Sequence, residues 1–338
     1  MAEDSSDEPT QTMPSCNQSL ELVFWILYGS TGVVILTGNV FTFIVFASTK
    51  RLRQSYMNVF LLSLAVADVL MAVFVVPYTV LCKGCISSKY CWFMSSLKDI
   101  ALGGTVFSLA AISVDRFLAV VRPLRYQNYI TTTRVTFILI GIWCFSCTTA
   151  LLRNAWLHTE TAEEVHKIDT IYNSILIFAF ALLPILIILG MNLKIIQAIR
   201  RQSRRVQQER NRDTTKETNH ESQLERSPAR KGTLACVLVV FVFLVSWLPL
   251  AVTNFSFVFG RPDLVNAVSV KVAWLFLFLQ SSANPFIYSF CRSEFRQAAF
   301  KLICCKFTGT RAVALKPMNE INTRLEPAAV LQRSATTD

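Results

Sequence analysis

The chain has 338 residues, of which 53% are hydrophobic and only 16% charged, well below the quarter typical of soluble domains. Its formal net charge of +11 would suit a nucleic-acid partner, but the basic residues are segregated by segment and not pooled in one patch, so no nucleic acid is expected. No nucleophile–base or metal-ligand spacing stands out, and His158, His166 and His220 fall in predicted loops, so catalysis is not expected either.

Residues 1–21 are polar and acidic, opening "MAEDSSDEPTQT", with neither the basic start nor the short apolar core of a cleavable signal peptide. They read as an N-terminal tail, and Asn17-Gln18-Ser19 is a glycosylation sequon within it, a pattern that also arises by chance. Seven apolar runs follow, at 22–47, 56–81, 91–121, 134–153, 170–197, 231–257 and 267–289. A bilayer crossing needs about 20 residues, and lipid forces each crossing backbone to satisfy its own hydrogen bonds. One such run is compatible with a buried soluble helix, whereas seven predict an all-α membrane protein, a seven-transmembrane helix bundle over 22–290. Pro77, Pro184, Pro249 and Pro285 lie inside four of the spans, where each removes a backbone bond and is expected to kink its helix. Kinked helices splay at one end, and splayed ends form a cavity.

The segments before the first span and after spans two, four and six carry five basic residues: Lys83, Lys89, Arg153, Lys167 and Arg261. The alternate segments, among them "TKRLRQS" and "RPLRYQNYITTTR", hold most of the others. Basic residues stay cytoplasmic, so a multi-pass plasma-membrane protein is predicted, with an extracellular N-terminus and a cytoplasmic C-terminus facing anionic lipid. The stretch 199–230 is polar and charged; its middle is expected to be disordered, with helical extensions of the neighbouring spans at both ends. Residues 291–305 form a predicted amphipathic helix on the inner leaflet, with Phe295, Ala299, Phe300 and Ile303 on its apolar side and Arg296 and Lys301 basic. Cys304 and Cys305 end it as palmitoylation candidates or as inert thiols, and 306–338 is a cytoplasmic tail. Of ten cysteines, Cys16, Cys82, Cys85 and Cys91 fall outside, an even set that permits three pairings.

Charges inside the spans need a reason, since each costs on the order of 2.5–3.5 kcal/mol at a helix centre. Asp68 lies mid-span and needs a proton, a partner or a cation. Lys98 and Asp99 sit in "SSLKDIALGG", and at about 1.5 Å rise per residue the seven residues from Cys91 put Lys98 at cavity depth. Consecutive helix residues point about 100° apart, which favours one of the pair facing the cavity and the other a neighbouring helix.

Motifs on each span resemble the rhodopsin-like (class A) G-protein-coupled receptors, non-opsin, over nearly all of 22–305: "GNVFTF", "SLAVADVL", "SVDRFLAVVRPLRY", Trp143, Pro184, "FLVSWLP" and "NPFIY". The resemblance implies an extracellular ligand, a heterotrimeric G protein as partner, and arrestin and receptor kinases acting on the cytoplasmic side. It implies an ion pair of Asp115 with Arg116 that releases on activation, with Phe243, Trp247, Pro249, Asn284, Pro285 and Tyr288 coupling ligand contact to an outward swing of span six. Phe117 stands where the family has Tyr, and Asn192 replaces the usual Tyr of span five. Ala229, Arg230 and Lys231 occupy the region where many relatives carry an acid that locks Arg116, so elevated basal activity is expected. By the same resemblance Asn39, Asp68, Thr105, Gln280, Ser281 and Asn284 form a sodium site, with Gln280 replacing the usual Asn, or else a hydrogen-bonded network without ion. The family's disulfide from Cys91 to the second external loop cannot form, because 154–169 has no cysteine.

For the ligand, Phe278 stands where opsins carry their retinal lysine, so no retinal and no other cofactor is expected, and Lys98 stands where amine receptors carry an aspartate. Asn254 matches an asparagine of adenosine receptors, to which "VFSLAAISVDRF" is weakly similar, whereas Ala251 and Phe278 replace that group's histidines. The expected ligand site comprises Lys98, Asp99, Leu102, Leu250, Asn254, Trp247, Trp274 and Phe278, with Leu176 and Phe180, a mostly apolar lining with few polar groups. Lys98 reads either as an anchor for an anionic, lipid or purine-like ligand or as a structural partner of Asp99, Asp169 or a loop acid. A ligand-independent receptor is the alternative function; a transporter is the lesser one, since repeats and polar pathways are missing.

Overall fold

A computed structural model describes residues 18–82, 91–153, 155, 162–212, 220–259 and 261–308, and all regular structure among them is helical. The chain forms α1 (Gln18–Ser48), α2 (Tyr56–Cys82), α3 (Cys91–Val121) and α4 (Thr132–Leu152). Next come α5, built from Ala162–Leu176, Ile177–Leu182 and Leu183–Arg212, and then α6 (His220–Val258), α7 (Ala267–Cys291) and α8 (Ser293–Thr308). Residues Met1–Arg296 make one compact unit and Gln297–Asp338 a second, so α8 begins in the first and ends in the second.

Within the first unit α3 is central, packing on α2, α4 and α5, while α1 packs on α2 and α7, and α6 and α7 share an extensive contact. The polarity is inside out. Leu22, Val33, Phe137, Phe145, Leu186, Phe241 and Leu248 are exposed, whereas Asn39, Asp68, Asp115, Gln280 and Asn284 are buried. That distribution suits a chain whose solvent is lipid. Among the described residues six helices are long and apolar enough to cross a membrane. The seventh expected span, α7, is 25 residues long, but Lys271 and the run Gln280-Ser281-Ser282-Ala283-Asn284 dilute its hydropathy.

Two of the four span prolines leave a visible mark. Pro77 and Pro184 each follow a π-helical segment, Met71–Val75 and Ile177–Leu182, where widening the helix absorbs the bond that proline cannot make. α6 and α7 run unbroken through Pro249 and Pro285. Two helix starts are capped: Thr131 accepts from the Arg134 amide, and Asn266 and Ser269 form a reciprocal capping box at α7. α1 is described from Gln18, inside the segment expected to be tail, and Glu21 pairs with Lys271 of α7 at 2.8 Å. The helical extensions on either side of 213–219, which lie outside the described residues, include Arg212 and His220, so His220 is helical and not in a loop. Cys82 and Cys91 are joined, fastening the end of α2 to the start of α3 and choosing among the pairings left open; Cys16 and Cys85 lie outside the described residues.

Gly38 lets α1 approach α7, since a Cβ there would stand 2.9 Å from Cγ of Pro285. Overpacking of this kind costs about 1–3 kcal/mol. Gly38→Val should therefore lower the thermal midpoint of the purified protein. Gly141→Ala on α4, with nothing within 4 Å, should not lower it, and equal midpoints for both would contradict the close approach.

Candidate functional site

Three polar layers lie along the bundle. At the outer one, Lys98 and Asp99 pair with each other, and Asp99 Oδ2 also lies 3.5 Å from Nη1 of Arg153. The same Nη1 donates to Ser95 Oγ at 2.8 Å, which ties the end of α4 to α3. Asp99 thus faces the neighbouring helix, and Arg153, read from sequence only as a loop charge, joins the cluster because it caps α4. The Lys98 ammonium lies 5.8 Å from the centre of the Tyr78 ring. Tyr78 packs edge-on to Trp274, Trp274 against Phe278, and Phe278 edge-on to Tyr28, forming an aromatic wall across α2, α7 and α1. Trp247, Trp274 and Phe278 are buried; Leu102, Leu176, Leu250 and Asn254 are half-buried. The side chains of Asp169 and Phe180 lie outside the described residues.

The middle layer surrounds Asp68, which is fully buried and accepts from Asn284 Nδ2 at 2.7 Å, with Ser281 beside the same carboxylate. Asn39 Nδ2 donates to the carbonyls of Ile35 and Ser281 at 3.0 and 3.2 Å. Thr105 turns its hydroxyl to its own helix, at the Ala101 carbonyl, and has no hydrogen bond to Asp68. Asp68 Oδ1, Asn39 Oδ1, Asn284 Oδ1, both amide atoms of Gln280 and Trp247 Nε1 are buried without a hydrogen-bond partner among the described residues. Unmet buried groups cost about 1–3 kcal/mol each, so this set is built for water or a cation. Four of these atoms are oxygens, one of them on a carboxylate, and hard oxygen donors fit a sodium ion. Phe243 packs on Trp247 at 5.4 Å between ring centres, and both are buried.

At the third layer, at the far end of α3 from Cys91, Asp115 is fully buried and holds Arg116, whose Nε is 2.9 Å from its Oδ2. Its other oxygen accepts from the Tyr126 hydroxyl at 2.8 Å. Burial, and then the Asp115 charge, push the Tyr126 phenol well above its ordinary range, so it stays a donor. Tyr126 stands within the quoted motif "RPLRY", but only the fold of the helical turn Tyr126–Tyr129 brings it back to Asp115. Asn192 donates to Ser113 of α3 at 3.3 Å, taking a contact where the family has a tyrosine. Tyr288 and Pro285 are buried and Pro249 half-buried; Tyr288 packs against Phe46 and Phe295. Arg292, where α7 ends, donates to Asn58 of α2 at 2.6 Å. Phe300 and Ile303 are exposed and Cys304 is half-buried, while Asn17 and the Cys305 side chain lie outside the described residues.

This sequence of polar layers on seven helices is the framework of a membrane receptor. The chain belongs to the rhodopsin family of seven-transmembrane receptors, whose model matches residues 38–288. It is 28% identical over 290 residues to the histamine H2 receptor of Cavia porcellus, covering 81% of this chain and 77% of that one. To the human histamine H2 receptor it is 25% identical over 308 residues, covering 86% and 81%. To the adenosine receptor A2a of Canis lupus familiaris it is 28% identical over 279 residues, covering 74% and 65%. It is therefore a multi-pass plasma-membrane receptor of the G-protein-coupled class and not an enzyme.

Asn58→Ala removes an acceptor from the buried guanidinium of Arg292. The expected cost is about 1–3 kcal/mol, read as a lower thermal midpoint of the purified receptor; an unchanged midpoint would show that the pair contributes nothing.

Proposed function

We propose that this receptor couples an extracellular ligand, a small anionic, lipid-like or purine-like molecule, to a heterotrimeric G protein through outward movement of α6. The observation that carries the reading is the buried Asp115 holding Arg116 at the cytoplasmic end of α3, a pair that exchange for a G-protein contact would release. Phe243, Trp247 and Pro249 would transmit ligand contact to α6, and Asn284, Pro285 and Tyr288 would rearrange on α7. The extracellular N-terminus with a sugar on Asn17, the lipid on Cys304 and Cys305, and arrestin and receptor kinases on the cytoplasmic tail complete this reading.

Its relatives are named for histamine and adenosine. In this chain a cationic amine would meet Lys98, a like charge, which supports an anion instead; Asn254 supports a purine-like contact. The second reading, a receptor active without ligand, draws support from Ala229, Arg230 and Lys231, which supply no acid near Arg116.

Sodium would be held by the Asp68 carboxylate with the amide oxygens of Asn39, Gln280 and Asn284, and would supply the positive charge that the buried carboxylate otherwise lacks. Sodium chloride, compared with choline chloride, should raise the thermal midpoint of wild type and leave Asp68→Ala unmoved; equal midpoints in both salts for wild type would reject the ion.

Nucleotide exchange on purified G proteins tests the main reading. Arg116→Ala should abolish it, and unchanged exchange would reject the receptor mechanism. Tyr126→Phe removes one bond, worth about 1 kcal/mol, that steadies Asp115, so basal exchange should rise by about fivefold.

A further inference from the structure

We propose that Asp99 is a counter-ion shared by Lys98 and Arg153, and that this sharing frees Lys98 to bind an anionic ligand; the inference rests on Lys98 being the ligand anchor. The two carboxylate oxygens are divided between the cations. Oδ1 takes Lys98, and Oδ2 lies 3.5 Å from Arg153 Nη1. Arg153 is steered from a second direction by Ser95, one turn before Asp99 on α3. All three charged side chains are nearly buried, with 9–15% of their surface exposed.

A buried ion pair that loses one member strands the other, and the penalty for the stranded charge exceeds the worth of the pair. Lys98 bound to a lone Asp99 would therefore be locked in place. Arg153 removes the lock, because Asp99 keeps a cationic partner when the Lys98 ammonium turns away. The residue types fit the division of labour. A guanidinium is a planar, rigid fork suited to holding fixed acceptors, whereas an ammonium is a point charge on a flexible stem that re-aims easily.

The surroundings define what Lys98 would turn towards. Its ammonium is on the side of Tyr78, whose ring leads on to Trp274 and Phe278, while Arg153 approaches from α4. The ligand class is accordingly an amphipathic anion: a carboxylate or phosphate for Lys98, on an aromatic or aliphatic body that packs on this wall. Arg153 acts through Asp99 as a positioning residue and does not itself touch the ligand.

The test uses the purified full-length receptor with 3-phenylpropionate and phenyl phosphate as probes and 3-phenylpropanol as the uncharged control, binding being read by saturation-transfer NMR. Wild type should bind one or both anions and not the alcohol, the preferred anion distinguishing carboxylate from phosphate, and Lys98→Ala should lose the anions. Arg153→Ala should weaken them about tenfold, and Arg153→Ala combined with Asp99→Asn should restore them, since Lys98 is then released by another route. Asp99→Asn alone should bind about tenfold tighter than wild type, a readout that holds even if Arg153→Ala does not fold. No anion binding to wild type, or wild-type binding by Lys98→Ala, overturns the anchor reading itself. Loss in Lys98→Ala without rescue in the double variant, or with no gain in Asp99→Asn, leaves the anchor and overturns the shared counter-ion.

Discussion

Lipid provides no hydrogen bonds, and almost everything in this molecule follows from that constraint. The backbone must be helical within each span, and side-chain polarity must turn inward. The outward faces of α1, α4, α5 and α6 are therefore apolar, while Asn39, Asp68, Asp115, Gln280 and Asn284 are buried. A soluble protein spends its apolar residues on its core. Here the core is apolar too, with Ile35, Leu64, Leu109 and Phe243 buried, but it also takes in the polar groups that lipid cannot solvate.

The tasks divide by depth. Asp99 towards one end of the bundle is met by two cations, Asp115 towards the other by a cation and a phenol, and Asp68 between them by the Asn284 amide. Only the middle carboxylate has no cationic side chain among these contacts, and one of its own oxygens is buried without a hydrogen-bond partner among the described residues. Two layers thus carry their own neutralising charge, and the third relies on a neutral amide.

The fold and the ends of this system were legible because they depend on neighbours in sequence. Apolar run length gave the helices, and Asp115 and Arg116 are adjacent, as are Lys98 and Asp99. Arg153 and Tyr126 were not legible as members of these pairs, since Arg153 is 54 positions from Asp99 and Tyr126 is 11 from Asp115 beyond a helix end. The pair of Glu21 and Lys271, 250 positions apart, is of the same kind. The π segments before Pro77 and Pro184 were foreseen only as kinks, because the sequence marks the missing bond and not how the helix absorbs it. Thr105 shows the converse, a residue placed in the Asp68 network by motif whose hydroxyl serves its own backbone.

The bridge between Cys82 and Cys91 closes a separation of only 9 residues. It acts as a corner bracket on α2 and α3, fixing the lateral offset between Tyr78, one turn before one cysteine, and Lys98, two turns after the other. Segment 154–169, expected as a loop but helical from Ala162 onward, has no cysteine and so no disulfide to α3. The register of this charged floor therefore rests on a covalent bond between adjoining helices and needs no residue of 154–169.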